Sequence, residues 1–373
     1  MRNATVIAHA LFVVSLVSCT SSPETKPTAA AFELQAFASR FEPGAMVGAP
    51  RLVDCTLSEG HTTTCVSVTL PANPATFEMG PWCPAHIADG ADRGGIWPHD
   101  GRMHDVDGLF IKNLPTFYND STWQLYDPQT GVVNVTDTPE ACAAAARPDV
   151  DPRYHNYCVQ CLASYITSGL TNTYVIPTQP VAASRVAPRV GHDGVGIAYR
   201  GVRLDAPAPV DDILSAHTLA PFDDCGGHVN PAVGYHIHAV TNCIQKDTAE
   251  TGHGTAIGVA LDGYALHSRL DAGSPLAVDV DACGGHTTGV EGYHYHVGDA
   301  GSNAILGCHK GQVGCVLDDP NASCDASALQ RPNGPPGRRP QGRASAEHPA
   351  MTGQAGYTTH RRAGPMHALP PLD

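Results

Sequence analysis

Hydrophobic and polar residues alternate along residues 52–70, and a polar tip at residues 59–61 interrupts the pattern. Because successive side chains of a strand leave opposite faces, this period of two predicts a β-hairpin. From residue 173 onward, short apolar runs alternate with turns rich in glycine and proline; the runs are residues 174–176, 195–198 and 257–261. These runs predict short buried strands, so the second half of the chain is expected to be mainly β.

Two segments carry helix signals. A threonine-proline-glutamate start opens an alanine-rich run at residues 138–147, and Pro148 follows it. A threonine N-cap with proline at the first helical position is typical of a helix start. Residues 154–166 are predicted to form a second helix, which contains Cys158-Val-Gln-Cys161. Since no thioredoxin-like βαβ pattern surrounds this motif, we interpret its cysteines as ends of two structural disulfides.

The chain contains an internal repeat. Residues 223–238 align with residues 281–296 without a gap, and nine of sixteen positions are identical. Each copy reads Asp-x-Cys-Gly-Gly-His, then seven residues, then His-x-His. A matching strand and turn precede each copy, at residues 195–201 and 257–263. We therefore predict two β units that pack with pseudo-twofold symmetry.

The repeated histidines have the spacing of a metal site. In a strand, both imidazoles of His-x-His leave the same face, and the Cys-Gly-Gly turn allows the preceding histidine to fold back beside them. Three neutral imidazoles suit zinc or copper, and a catalytic zinc site keeps its fourth position open. The candidate ligands are His228, His236 and His238 in the first copy and His286, His294 and His296 in the second. Asp223 and Asp281 are candidate ligands, or outer partners that accept the second ring N–H and fix the tautomer.

Other interpretations of these histidines stay open. One alternative is a structural or interaction protein of the cell envelope that binds no metal. Its imidazoles would then form hydrogen bonds with backbone carbonyls and with the two aspartates. A metal-dependent envelope enzyme, either a hydrolase using metal-bound water or a copper redox enzyme, is another alternative. Four more histidines lack a counterpart in the other copy and are weaker candidate ligands: His217, His253, His267 and His309.

Five segments carry a family resemblance. They are Asn172-Thr-Tyr-Val-Ile-Pro177, Pro221-Phe-Asp-Asp-Cys-Gly-Gly-His228, Gly234-Tyr-His-Ile-His238, Ile257-Gly-Val-Ala-Leu-Asp-Gly263 and Gly292-Tyr-His-Tyr-His296. With these segments, residues 54–315 resemble the YHYH protein family of bacteria. The resemblance implies no particular reaction. Ile237 replaces the second tyrosine of the motif in the first copy, and it is expected to face away from both histidines.

The first residues predict export. An early positive charge precedes the apolar run at residues 10–17, which is too short to span a bilayer. Leu16-Val-Ser-Cys19 resembles a bacterial lipobox, in which a signal peptide (residues 1–18) is removed and Cys19 is lipidated. An ordinary signal peptide that contains a cysteine is the alternative. Thr20 follows the cysteine, in place of the aspartate that retains such lipoproteins at the inner membrane. We therefore expect a periplasmic or cell-surface protein that Cys19 anchors to the outer membrane.

The cysteines indicate a disulfide framework. Thirteen cysteines less Cys19 leave twelve, an even number in a chain predicted to be exported. We therefore expect six disulfides. Neighbours in sequence suggest four of the pairs, namely Cys55–Cys65, Cys225–Cys243, Cys283–Cys308 and Cys315–Cys324.

Composition limits the fold and the partners. A chain of 373 residues, 42% of them hydrophobic, can bury a core, while 38 glycines and 31 prolines indicate many turns. The net charge of −14 argues against a nucleic-acid partner. The predicted fold is mainly β with short helices and much irregular structure, disulfide-rich, with two pseudo-symmetric β repeats in the C-terminal half. The predicted order is signal peptide 1–18, lipid-anchored tether 19–45, N-terminal disulfide-rich region 46–172, tandem YHYH domain 173–326 and disordered Pro/Gly/Arg-rich tail 327–373.

Overall fold

The computed structural model describes residues 32–147, 149–186, 190–191, 193–244, 253–270, 279–289 and 291–329. The strands are β1 (Arg51–Thr56), β2 (Thr62–Pro71), β3 (Ile96–His99), β4 (Arg102–Asp105), β5 (Thr171–Pro177), β6 (Gly196–Ala198), β7 (Val202–Leu204), β8 (Gly227–Asn230), β9 (Gly234–Ile237), β10 (Ala256–Ala260), β11 (Ala265–His267), β12 (Gly285–Thr288), β13 (Gly292–His296), β14 (Cys315–Leu317) and β15 (Cys324–Asp325). The α-helices are α1 (Leu34–Ala38), α2 (Gly108–Phe117), α3 (Pro139–Ala145), α4 (Val210–Ser215) and α5 (Ala326–Leu329). Short 3-10 turns lie at Ala91–Arg93, Pro152–Tyr154, Ala163–Tyr165 and Ala300–Ser302. The predicted mainly β class with short helices is confirmed.

The two repeats form one eight-stranded sheet. Its strand order is β12-β13-β11-β10-β6-β7-β9-β8. Counted outward from the central β10–β6 pair, each half has the same four strands in the same order, namely β6-β7-β9-β8 from the first copy and β10-β11-β13-β12 from the second. Strands β6 and β10 are antiparallel, and Ile197 lies opposite Val259. These two residues are equivalent in the Gly-Ile-Ala and Gly-Val-Ala runs of the repeats. A pseudo-twofold axis therefore passes through this pair, as the repeat predicted.

A second sheet covers the centre of the first. Its order is β14-β5-β2-β1-β15, and β1 with β2 is the hairpin predicted from the alternating pattern. Val68 of β2 and Tyr174 of β5 pack with Ile197 and Val259 in a buried cluster between the sheets. Strand β5 crosses the predicted boundary between residues 172 and 173, so this sheet combines strands from both predicted regions.

The second half of the predicted tether is wrong. Helix α1 and the residues after it pack on the core, with Phe37 only 6% and Phe41 only 7% exposed. The ring of Phe41 lies edge-on to Tyr199 at a centroid distance of 5.2 Å. Burying aromatic rings removes a large apolar area from water, which holds residues 32–45 against the sheets.

Six disulfides stabilise these elements. The four predicted pairs are confirmed, and the remaining two are Cys83–Cys158 and Cys142–Cys161. Cys158 and Cys161 thus end separate disulfides, as interpreted from the sequence.

Of the two predicted helices, one is correct. Helix α3 begins after Thr138, whose hydroxyl accepts a hydrogen bond from the backbone N–H of Ala141 at 3.1 Å. The helix predicted over residues 154–166 is wrong. Backbone bridges from Cys158 to Val135 and Leu219 hold the middle of this segment extended, and only short 3-10 turns flank it.

Several predicted features lie outside the described residues. The signal peptide, Cys19 and the first part of the tether fall before residue 32, and nearly all of the predicted tail falls after residue 329. Within the described residues, every helix is too short or too polar to cross a membrane.

Candidate metal centres

Two antiparallel hairpins carry the repeated histidines. In the β8–β9 hairpin His228 lies directly opposite His236, and in the β12–β13 hairpin His286 lies directly opposite His294. Residues opposite each other on antiparallel strands share a face, and so do residues i and i+2 of one strand. The three repeated imidazoles of each copy therefore point to one side of the sheet. Sequence spacing alone predicted this convergence.

The Cys-Gly-Gly turn positions the first histidine of each copy. Gly226 has φ +82° and Gly284 has φ +88°, a left-handed conformation that side-chain-bearing residues rarely adopt. Asp223 stabilises the first turn: its Oδ1 atom accepts hydrogen bonds from the backbone N–H groups of Cys225 and Gly227, both at 3.1 Å. The same oxygen accepts from the Tyr235 hydroxyl at 3.0 Å.

Asp281 has the same role in the second copy. Its carboxylate accepts from the backbone of Cys283 at 2.9 Å and Gly285 at 3.3 Å, from the Tyr293 hydroxyl, and from Lys310 Nζ at 2.8 Å. The prediction that Asp223 and Asp281 bind the metal or accept from the imidazoles is therefore corrected. Both carboxylates organise the turn and the first tyrosine of the motif, because that turn presents backbone N–H groups to them.

Backbone carbonyls fix the imidazole tautomers instead. The Nδ1 atom of His236 contacts the Gly234 oxygen at 3.0 Å, and that of His238 contacts the Ala206 oxygen at 2.5 Å. The second copy repeats the arrangement, with His294 on the Gly292 oxygen at 3.1 Å and His296 on the Ser268 oxygen at 2.8 Å. A carbonyl only accepts, so Nδ1 carries the proton and the Nε2 lone pair faces the other imidazoles.

The first centre consists of His228, His236 and His238. The Nε2 atoms of His228 and His238 are 3.2 Å apart, and the ring of His236 lies 4.8 Å from both other rings by centroid. Among the described residues, no further histidine, cysteine or carboxylate brings a ligand atom within 4.8 Å of all three. This centre offers three donors on one side.

The second centre has four histidines: His253, His286, His294 and His296. Their Nε2 atoms are separated by 3.1 Å for His286–His294 and His294–His253. They are separated by 3.2 Å for His253–His286 and His296–His286. His253 had been a weaker candidate in the sequence because it has no counterpart in the repeat. Only the high local density of histidines in this part of the sequence pointed to His253, because it has no motif spacing to the other ligands.

These separations define a coordination geometry. Four nitrogens placed tetrahedrally about 2.0 Å from a zinc ion are about 3.3 Å apart. His253, His286 and His294 form a triangle with all three edges at 3.1–3.2 Å. Three corners of a square-planar site of the same radius would include one separation of about 4 Å, so this triangle fits three corners of a tetrahedron better than three corners of a square.

The two copies differ at one neighbouring position. His267 of β11 pairs with His296 in parallel register, and its ring lies 4.5 Å from the ring of His294. The equivalent position beside the first centre is Asp205, whose Oδ1 atom accepts from Arg203 at 3.0 Å. Burial opposes a charge on Asp205, but the Arg203 guanidinium helps to hold the pKa of its carboxyl below the usual value.

Burial lowers the pKa of the six repeated imidazoles and so favours their neutral form. It lowers the pKa of His238, His294 and His296 to about 4 in each case, with the neighbouring imidazoles adding to the effect. The pKa of His228 is also lowered well below its usual value, mainly by burial. At neutral pH these nitrogens therefore present lone pairs, the form in which histidine binds metals.

The second tyrosine position of the motif faces the other way. Ile237 in the first copy and Tyr295 in the second are both fully buried in the hydrophobic core behind the sheet. The Tyr295 hydroxyl donates to Asp262 at 2.6 Å. Ile237 therefore points away from the histidines of the first centre, which is consistent with the prediction that isoleucine in place of the second tyrosine leaves the histidine cluster intact.

The fold and these centres define a disulfide-bonded, mainly β protein whose histidine groups could hold metal ions. Residues 173–277 match the family model described as YHYH protein. This match supports the resemblance to the YHYH family that the motifs predicted; it includes the first centre but ends before the second copy of the repeat. Comparisons with curated proteins and with solved structures find no match.

Proposed function

We propose that this protein binds transition-metal ions at both histidine centres, with zinc favoured at the second centre and zinc or copper at the first. The observation that carries the proposal is the convergence of four Nε2 atoms at 3.1–3.2 Å in the second centre. Backbone carbonyls hold the proton of His294 and His296 on Nδ1, so their Nε2 lone pairs face His253 and His286 at close range. A cation among these nitrogens would be bound by those lone pairs, and the triangle of His253, His286 and His294 already has the separations of a coordination sphere.

Metal content tests this proposal directly. The full chain is produced in an oxidising compartment, where the disulfides form, and its bound metals are measured by elemental analysis. We expect two equivalents in the wild type and one in each of His236→Ala and the double variant His286→Ala/His294→Ala, because only two histidines remain at the altered centre in either protein. His61→Ala, at the exposed tip of the β1–β2 hairpin, is the matched control and keeps both.

A folded wild-type protein that contains no metal and takes up neither zinc nor copper would contradict the proposal. The imidazoles would then be structural, and the protein would fall into the class of disulfide-bonded envelope proteins without metal. Unchanged metal content in both histidine variants would contradict the assignment of the ligands.

We also propose that the protein is exported and anchored to the outer membrane through a lipid on Cys19. The lipobox-like Leu16-Val-Ser-Cys19 and the six disulfides support export to an oxidising compartment. Labelling with a fatty acid followed by membrane fractionation tests the anchor. The wild type is expected to carry label in the outer-membrane fraction and Cys19→Ser to lose it; equal labelling of the two would refute the anchor.

A further inference from the structure

A cavity of about 230 Å³ adjoins the first centre, and all three of its histidines line it. Much of the remaining wall is apolar and includes Trp82, Val159 and Val229, which are buried. The indole N–H of Trp82 already donates to the Gly227 oxygen at 3.0 Å, so this side chain presents ring carbons to the space. A metal at the first centre would thus face a partly open, mainly apolar cavity.

The first centre leaves one coordination position to that cavity. Three imidazoles supply its donors, whereas four converge in the second centre. Its neighbouring carboxylate, Asp205, is engaged by Arg203 at 3.0 Å. Three protein ligands with an open fourth position distinguish reactive or ligand-binding zinc sites from closed structural ones.

The polar groups of the cavity wall are largely engaged within the protein. Gln160 accepts from the backbone N–H of Cys83 at 3.2 Å, and Thr218 donates to the Ile213 oxygen at 2.8 Å. Arg147 and Asp212 also line the cavity, and Arg147 pairs with Asp149 at 2.6 Å. A metal would be the polar partner for a guest molecule on the histidine side of the space. A dication held by three neutral imidazoles favours an anionic oxygen donor.

We propose that the first centre binds a small carboxylate with an apolar body, whose oxygen takes the fourth position on the metal and whose body fills the cavity. The proposal rests on the metal occupancy proposed above. An apolar cavity of about 150 Å³ holds a benzene molecule. The larger space here fits a ligand of the size of benzoate, with room for a further small substituent.

The test uses the full chain carrying both His286→Ala and His294→Ala and loaded with cobalt(II), so that the visible absorption reports the first centre. Benzoate is titrated and compared with acetate, which has the same donor without the ring. We expect a saturable spectral change with benzoate and at least roughly tenfold weaker binding of acetate, because only benzoate buries an apolar ring.

A cavity-filling variant separates the ligand from the metal. Ala146 follows helix α3 and lines the cavity, while Ala143 lies on the exposed face of the same helix. Ala146→Phe is expected to bind cobalt like its parent and to lose at least about tenfold in benzoate affinity, whereas Ala143→Phe keeps both. If Ala146→Phe does not fold, Val150→Trp fills the cavity from another segment and replaces it.

The outcomes distinguish the two proposals. Failure of the His286→Ala/His294→Ala protein to bind cobalt would overturn both the occupancy of the first centre and the ligand proposal. Normal cobalt binding without a benzoate response would overturn the ligand proposal alone. Equal affinities for acetate and benzoate, or unchanged benzoate binding in the folded cavity-filling variant, would also overturn it.

Discussion

Removing His253 should convert the second centre into a weak three-histidine site. This residue supplies the fourth Nε2 atom, 3.1 Å from His294 and 3.2 Å from His286. It precedes strand β10 and is not part of the repeat, so His253→Ala leaves the β12–β13 hairpin and its three imidazoles in place. Water would take the vacated coordination position.

The size of the effect follows from the geometry. Because three of the four nitrogens already lie at the separations of a tetrahedral site, binding requires little rearrangement, and losing one donor removes a full metal–ligand bond. Losing a residue that only hydrogen-bonds to a metal ligand weakens metal binding by about 10- to 100-fold. Loss of a ligand itself should have a larger effect, so we expect zinc to bind at least about 100-fold more weakly. With free zinc at 1,000 times the wild-type Kd, the zinc-dependent stabilisation falls from about 4.1 to about 1.4 kcal/mol.

Thermal unfolding with buffered zinc and with chelator measures this difference. The zinc-dependent rise in Tm should be roughly 5–10 °C smaller in His253→Ala than in the wild type. His267→Ala tests the alternative set of His253, His267, Glu291 and His294, whose ligand atoms also lie within 4.8 Å of one another. His61→Ala, at the exposed hairpin tip, is the control. A wild-type zinc response in His253→Ala, or an equal loss in His267→Ala, would refute the assignment of the four ligands.

Three further predictions concern the scaffold. Gly226→Ala should destabilise the protein far more than Gly284→Ala does. Both glycines have positive φ, but an added Cβ would lie 1.8 Å from a backbone oxygen at Gly226 and 3.1 Å from one at Gly284. Equal losses of unfolding free energy in urea would contradict this prediction. Metal-free protein should lose stability as the pH falls from 6.5 towards 4, because the unfolded chain takes up protons before the folded chain does. His238, with a folded pKa of about 4, contributes about 3 kcal/mol of this loss. In urea unfolding at pH 7 and 4.5, His238→Gln should therefore show a weaker pH dependence than the wild type. Replacing Cys83 and Cys158 by alanine opens a loop of 75 residues and should cost about 4–5 kcal/mol of unfolding free energy, whereas a change below about 1 kcal/mol would show that the packing alone fixes this contact.

The local features of the site were predictable from the sequence. His-x-His in a strand fixes the direction of two imidazoles, and the Cys-Gly-Gly turn requires a left-handed residue that returns the third. The disulfides between near neighbours, such as Cys225–Cys243, follow from the same short range. The predicted roles of Asp223 and Asp281 failed because the sequence does not show that the turn itself offers them several backbone N–H groups.

The tertiary structure alone decided how the two copies differ. His253 joins the second centre from a separate segment, and Asp205 takes the place beside the first centre that His267 takes beside the second. The cavity at the first centre needs walls from Trp82 and Val159, which lie far from the repeat in the chain. Residue spacing determines side-chain direction only within a strand or a turn. Which distant segments meet depends on the packing of the whole core, so the repeat predicted two equal clusters and the fold produced one closed and one open centre.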